Sequence, residues 1–128
     1  MPKPCLLIVD DEPDMVEFVG DVAEEMGFAC SSASSAKECL DLFESINPAA
    51  IVLDVVMPDM DGSELLQALA KRNCTAPIIA MSGYQKMYLD ILESLATEHN
   101  TVVVGTLSKP FPASELSRLL QQVLDALE

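Results

Sequence analysis

Asp10, Asp11 and Glu12 follow one short apolar run, Asp54 follows a second, Ser82 a third, and Lys109 comes just after a fourth. Gathered at one edge of a fold, these residues make a chemical set. Crowded carboxylates repel one another, and a hard divalent cation with oxygen ligands offsets the repulsion. Magnesium typically takes one or two carboxylates, water and a phosphate. Lys109 supplies a point charge for phosphate oxygens, and Ser82 a hydroxyl donor. A carboxylate in that company is a nucleophile able to accept a phosphoryl group as an aspartyl phosphate, with cation and amine stabilising the charge on the transferring group. Asp54 is the candidate nucleophile because it stands alone after the apolar AIVL; the adjacent Asp10 and Asp11 are the better metal pair.

Each residue alone has a plainer reading. Acids suit a helix N-terminus, where the dipole favours them, so Asp10, Asp11 and Glu12 need no ion. Asp59 and Asp61 read as loop caps, with Asp61 capping the third helix. Ser82-Gly83 is an ordinary turn and Lys109 an ordinary surface lysine. Only the combination favours chemistry, and the combination depends on the elements that bring it together.

Those elements alternate in period. Leu6–Val9 reads as a first strand, and Pro13 suits the first turn of a helix that Gly27 stops. Phe28–Ser32 is a weak second strand. Ser35 and Glu38 have the form of a capping box opening a helix that Asn47-Pro48 ends. Ala49–Leu53 is the third strand and PDMDG a loop, with Asp61 and Glu64 opening a helix through Leu65, Leu66 and Leu69. Pro77–Met81 is a fourth strand, and a helix is expected from about Lys86 to about Glu98, with Tyr88, Ile91, Leu92 and Leu95 inward. Thr101–Gly105 is a fifth strand. The last helix carries Leu116, Leu119, Leu120, Val123, Leu124 and Leu127 inward. Five strands alternating with five helices predict a parallel α/β sheet covered on both faces. In such sheets ligands sit outside the carboxyl ends of the strands, which is where the set above falls.

At 128 residues, residues 1–128 are expected to form one domain. The net charge of −14 repels nucleic acid and anionic lipid, arguing against direct DNA binding and for a basic partner or bound cations. The longest apolar run is too short to span a bilayer. The N-terminus shows no signal-peptide cleavage pattern, so a cytoplasmic protein is expected. Cys5, Cys30, Cys39 and Cys74 form no C-x-x-C pair, and with one histidine, His99, they make no zinc site; small reduced core residues are expected.

The stretches LIVDDE (7–12), IVLDVVMPDMDG (51–62), IIAMSG (78–83) and LSKPF (107–111), in this order and spacing, resemble the receiver domain of two-component response regulators over the whole chain. The resemblance implies a flavodoxin-like sheet of order 2-1-3-4-5. It implies Asp54 as phosphoacceptor, and magnesium held by Asp10, Asp11, Asp54 and the backbone carbonyl of Val56. Ser82 would bond the phosphoryl group, Lys109 would pair with it, and the Lys109–Pro110 bond would be cis. The donor would be a phosphohistidine on a sensor kinase or phosphotransfer protein, and the target an output domain or partner protein. One departure stands out: family members often carry Tyr or Phe three residues before the lysine, where this chain has Thr106. Tyr84 is then a candidate to carry part of the signal. Val56, being apolar, cannot orient an attacking water, so slow self-dephosphorylation is expected. The face of the fourth helix, fifth strand and fifth helix is the family's usual partner and homodimer surface. The stretch YLDILESLATEHNTVVVGTLSKPF is similar to receivers fused to cyclic-di-GMP phosphodiesterases of the EAL type, implying such a domain after Glu128.

Two alternatives stand beside this reading. A degenerate receiver serving as an interaction module normally loses an acid or the lysine, and all are present. A magnesium-dependent phosphohydrolase carries D-x-D after its nucleophile strand, where position 56 is Val, and nothing in the chain builds a substrate pocket.

Overall fold

The apolar runs form strands, and the segments of helical period pack over them. The computed structural model of the chain describes residues 3–83, 90, 94 and 101–127. In it β1 (Cys5–Val9), α1 (Pro13–Glu25), β2 (Ala29–Ala33), α2 (Ala36–Ile46) and β3 (Ala50–Asp54) follow in turn. Next come β4 (Val56–Met57), β5 (Met60–Asp61), α3 (Gly62–Lys71), β6 (Ile78–Ser82), β7 (Val103–Ser108) and α4 (Ala113–Ala126). The helix expected from about Lys86 to about Glu98, with Tyr88, Ile91, Leu92 and Leu95 inward, lies outside the described residues, save Asp90 and Ser94, which are helical; Tyr84 and His99 on either side of it lie outside them too.

The main sheet is five-stranded and parallel, in the order β2-β1-β3-β6-β7. This is the expected 2-1-3-4-5 once the two hairpin strands are numbered. All five residues of β3 are buried, because both sheet faces are covered. On one face Leu7, Ile51, Leu53 and Ile78 pack with Phe43, Leu65 and Leu69 of α2 and α3. On the other, Leu6, Val52 and Ile79 pack with Val19 of α1 and Leu116, Leu120 and Val123 of α4. Alternate residues of one strand thus feed opposite cores, the period of two that a strand imposes.

The expected boundaries hold at several helix ends. Pro13 opens α1, Gly27 follows it at φ 104°, and Asn47 closes α2 in the left-handed conformation, as a C-terminal cap should. Three expectations are corrected. PDMDG is not a plain loop: Val56–Met57 and Met60–Asp61 pair as a small antiparallel hairpin. The last strand does not end at Gly105 but runs to Ser108, with Gly105 facing Ile79 and Thr106 facing Ala80 after a register shift. Gly105 belongs inside the strand because α4 presses on it: a Cβ there would lie 2.5 Å from Leu119 Cδ2. Finally Leu127, expected inward, lies past the end of α4 and is 53% exposed.

Candidate functional site

Sheet register alone brings the chemistry together. Val9 of β1 faces Leu53 of β3, so the next residues, Asp10 and Asp54, leave the sheet side by side. Asp54 faces Met81 of β6, so Ser82 lies one position on. Ser82 faces Ser108 of β7, so Lys109 follows. The Lys109 N–H donates to the Ser82 carbonyl at 2.8 Å, and the Lys109–Pro110 bond is cis, as expected.

Both aspartates are buried, Asp10 1% and Asp54 5% exposed, and they are held alike. Asp10 Oδ1 accepts the N–H of Glu12 at 2.9 Å, and Asp54 Oδ1 accepts the N–H of Val56 at 2.9 Å. In each case the donor is two residues on, the local turn that aspartate favours. The second oxygens turn to the amine of Lys109. Its Nζ donates to Asp10 Oδ2 at 2.8 Å and Asp54 Oδ2 at 3.2 Å, and reaches Glu12 Oε1 at 3.4 Å.

Burial pushes the Asp54 carboxyl above its ordinary range. The Val56 N–H and the Lys109 charge pull the other way, and the charge of Asp10 adds to the rise. Burial also works against the Lys109 ammonium, but the hydrogen bond and charge of Asp10, with the charge of Asp54, outweigh it and raise the lysine pKa. Lys109 is therefore held as a cation between two buried acids, and removing the lysine would strand both without a counter-charge.

One oxygen from each of Asp10, Glu12 and Asp54 lies within 4.8 Å of the others. Opposite oxygen ligands of one hard cation are about 4–5 Å apart, so the donor set fits such an ion. Asp11, predicted as a metal residue, is exposed and outside this group. Glu12, 65% exposed in its side chain, is inside it; it is expected among the acids of this edge but not among the metal ligands. Its signal is its place just after β1, two residues from Asp10, whose Oδ1 accepts its N–H. Val56 lies at the mouth of the site and is exposed, while Ser82 is fully buried at the end of β6. Thr106, at the position noted for its missing ring, is half-buried in β7.

The other acids of this segment are caps. Asp61 Oδ1 accepts the Glu64 N–H at 2.9 Å, as its spacing predicted. Asp59 caps a different helix: its oxygens accept the N–H groups of Ala36 at 3.1 Å and Lys37 at 3.2 Å on α2. All four cysteines are free, and burial pushes the Cys39 thiol up to about 12, which suits a core residue rather than a metal ligand. Among the described residues no helix is long and apolar enough to cross a membrane.

A family model for the response regulator receiver domain matches residues 6–121. An uncharacterised 14.6 kDa protein of Leptolyngbya boryana is 36% identical over 119 residues, 91% of this chain and 87% of that protein. The chain spans 25% to 51% of the length of seven other curated relatives. Among solved structures, the receiver domain of the Francisella response regulator 1452 superposes with a TM-score of 0.82 at 29% identity, covering 98% of this chain and 99% of that one. The response regulator TrrA of Thermotoga maritima, in complex with Mg2+ and BeF, gives a TM-score of 0.78 at 26% identity, over 94% of this chain and 98% of that one.

Proposed function

This chain belongs to the response regulator receiver domain family, and from that premise we propose that it is a phosphorylation switch with Asp54 as the acceptor. One observation carries the reading: Asp10 and Asp54, buried side by side, both turn their Oδ2 atoms to one lysine, at 2.8 and 3.2 Å. Burying two carboxylates together is unfavourable; cations gathered at the site offset this and can in turn hold an anionic phosphoryl group.

In the proposed reaction an Asp54 oxygen bonds to phosphorus as the donor's N–P bond breaks, and the imidazole of the phosphohistidine leaves with the electron pair. Asp10, Asp54 and the Val56 carbonyl would hold Mg2+, joined by Glu12, whose oxygen lies with theirs, while Asp11, exposed and outside that group, would have to turn inward to take part; when bound, the ion neutralises charge on the transferring oxygens. Lys109 exchanges one carboxylate partner for a phosphoryl oxygen, and Ser82 supplies a hydroxyl donor to another. Capture of the similar TrrA with Mg2+ and BeF supports this for the present chain. The exposed Val56 side chain offers an attacking water no hydrogen bond, so the adduct should last minutes rather than seconds.

The donor is a sensor histidine kinase or phosphotransfer protein, and the signal passes to an output domain or partner protein, with the resemblance favouring an EAL-type domain. The reading places residues 1–128 in one receiver domain, in the cytoplasm, without nucleic acid or membrane contacts of its own, and allows a homodimer. The test is incubation with a small phosphodonor and Mg2+, followed by intact mass. A phosphoryl adduct absent from Asp54→Asn is expected. Repeated turnover of phosphate esters would favour a hydrolase, and no adduct from any donor would favour an interaction module.

A further inference from the structure

The Val56–Asp61 hairpin has its base in the site and its tip on another helix. At the base, the Val56 N–H donates to Asp54 Oδ1. Val56 pairs with Asp61 and Met57 with Met60, and buried Met57 anchors the hairpin in the core shared by α2 and α3. At the tip, Asp59 takes the Ala36 N–H on one oxygen and the Lys37 N–H on the other. These belong to the first donors of α2, which have no partner inside the helix. The bond from Ala36, then that from Lys37, lowers the Asp59 pKa, while burial opposes them only in part. The helix already has a local cap, since Ser35 accepts the Glu38 N–H at 3.1 Å. Asp59 is thus a second cap on the same helix end, reaching it from 23 residues away.

The Ser35 hydroxyl satisfies one of the free donors of the helix start, whereas the Asp59 carboxylate takes two others from a distant segment and so ties the hairpin to α2, which a local hydroxyl cannot do. We propose that Asp59 is a positioning residue for the Asp54 site: clamped on α2, it holds the hairpin so that the Val56 backbone stays presented to Asp54. The part of this proposal that concerns Mg2+ rests on the receiver reading above. Coupling of this kind is reciprocal, so whatever binds the site and tightens the hairpin also tightens the hold of Asp59 on α2.

The two caps provide the control. Asp59→Ala, Asp59→Asn and Ser35→Ala are compared with the wild type, first by amide exchange without metal. Exchange at Val56 should quicken in Asp59→Ala and stay unchanged in Ser35→Ala, with Asp59→Asn, which keeps one acceptor oxygen, in between. Calorimetric titration with Mg2+ should then show affinity weakened about three- to tenfold in Asp59→Ala, partly restored in Asp59→Asn, and unchanged in Ser35→Ala. In the wild type, Mg2+ should slow exchange at Ala36 and Lys37. Equal effects from the two alanine variants would mean that loss of α2 stability is the cause, and would overturn the proposal. So would unaltered Val56 exchange in Asp59→Ala. A wild type that binds no Mg2+ would refute the metal reading instead, and Val56 exchange would still decide the role of Asp59.

Discussion

Asp54 and Asp59 lie five residues apart in one segment. Asp54 ends the central strand, is almost wholly buried, and has its pKa pushed up by that burial. Asp59 sits exposed at the hairpin tip, and the amides of α2 pull its pKa down. The fold places one carboxylate where its charge is unfavourable and the other where its charge stabilises a helix. On the proposed function, the reacting site holds the group whose charge is unfavourable and the scaffold holds the favourable one. The same residue type does both jobs because environment, rather than identity, sets the energy.

The comparison breaks most severely at Lys109. Lys109→Met leaves Asp10 and Asp54 buried without their cation, and we expect a loss of about 3 kcal/mol or more in a denaturant titration at neutral pH. The loss should shrink in acid, where Asp54 no longer carries the charge that Lys109 offsets. Asp54→Asn should act in the opposite direction. A carboxyl with a raised folded pKa favours folding below its unfolded pKa, and that contribution is lost as pH rises through the folded pKa. Removing it should therefore raise the melting temperature of the metal-free protein at neutral pH by roughly 5 °C, with the gain fading in acid. An unchanged or lower melting temperature would show that the buried charge is not a burden.

Asp59→Ala tests the other half. Its lowered pKa stabilises the fold above the unfolded pKa, and this is lost as pH falls through the folded pKa. Removing the cap should cost about 1 kcal/mol near neutrality, with the variant and wild-type curves converging in strong acid. Ser35→Ala should cost slightly less, about 0.5–1 kcal/mol, with no such convergence, because a hydroxyl does not titrate. Matching pH profiles for the two caps would remove the charge argument for Asp59.

How much of this was readable beforehand follows from the physics of each part. The convergence of Asp10, Asp54, Ser82 and Lys109 on one edge was legible because parallel strands deliver their carboxyl ends together. The cap at Asp61 was legible because donor and acceptor lie three residues apart. The Asp59 cap was not, since its partners lie 22 and 23 residues away and only the tertiary fold joins them. The hairpin was missed because two-residue strands show no period. Gly105 read as a strand end, yet it is a gap kept open for Leu119, and a close approach between distant elements leaves no local mark. Leu127 continued a helical stripe that the helix itself did not.

A carboxylate in water has two interchangeable oxygens. In Asp54 that symmetry is gone, because an amide holds Oδ1 and an ammonium faces Oδ2. An electrophile arriving at this side chain meets two chemically distinct atoms, one tied to the main chain and one tied to a movable side chain. With Asp54 as the proposed acceptor, the backbone turn after β3 would decide which oxygen is left to react before any partner arrives.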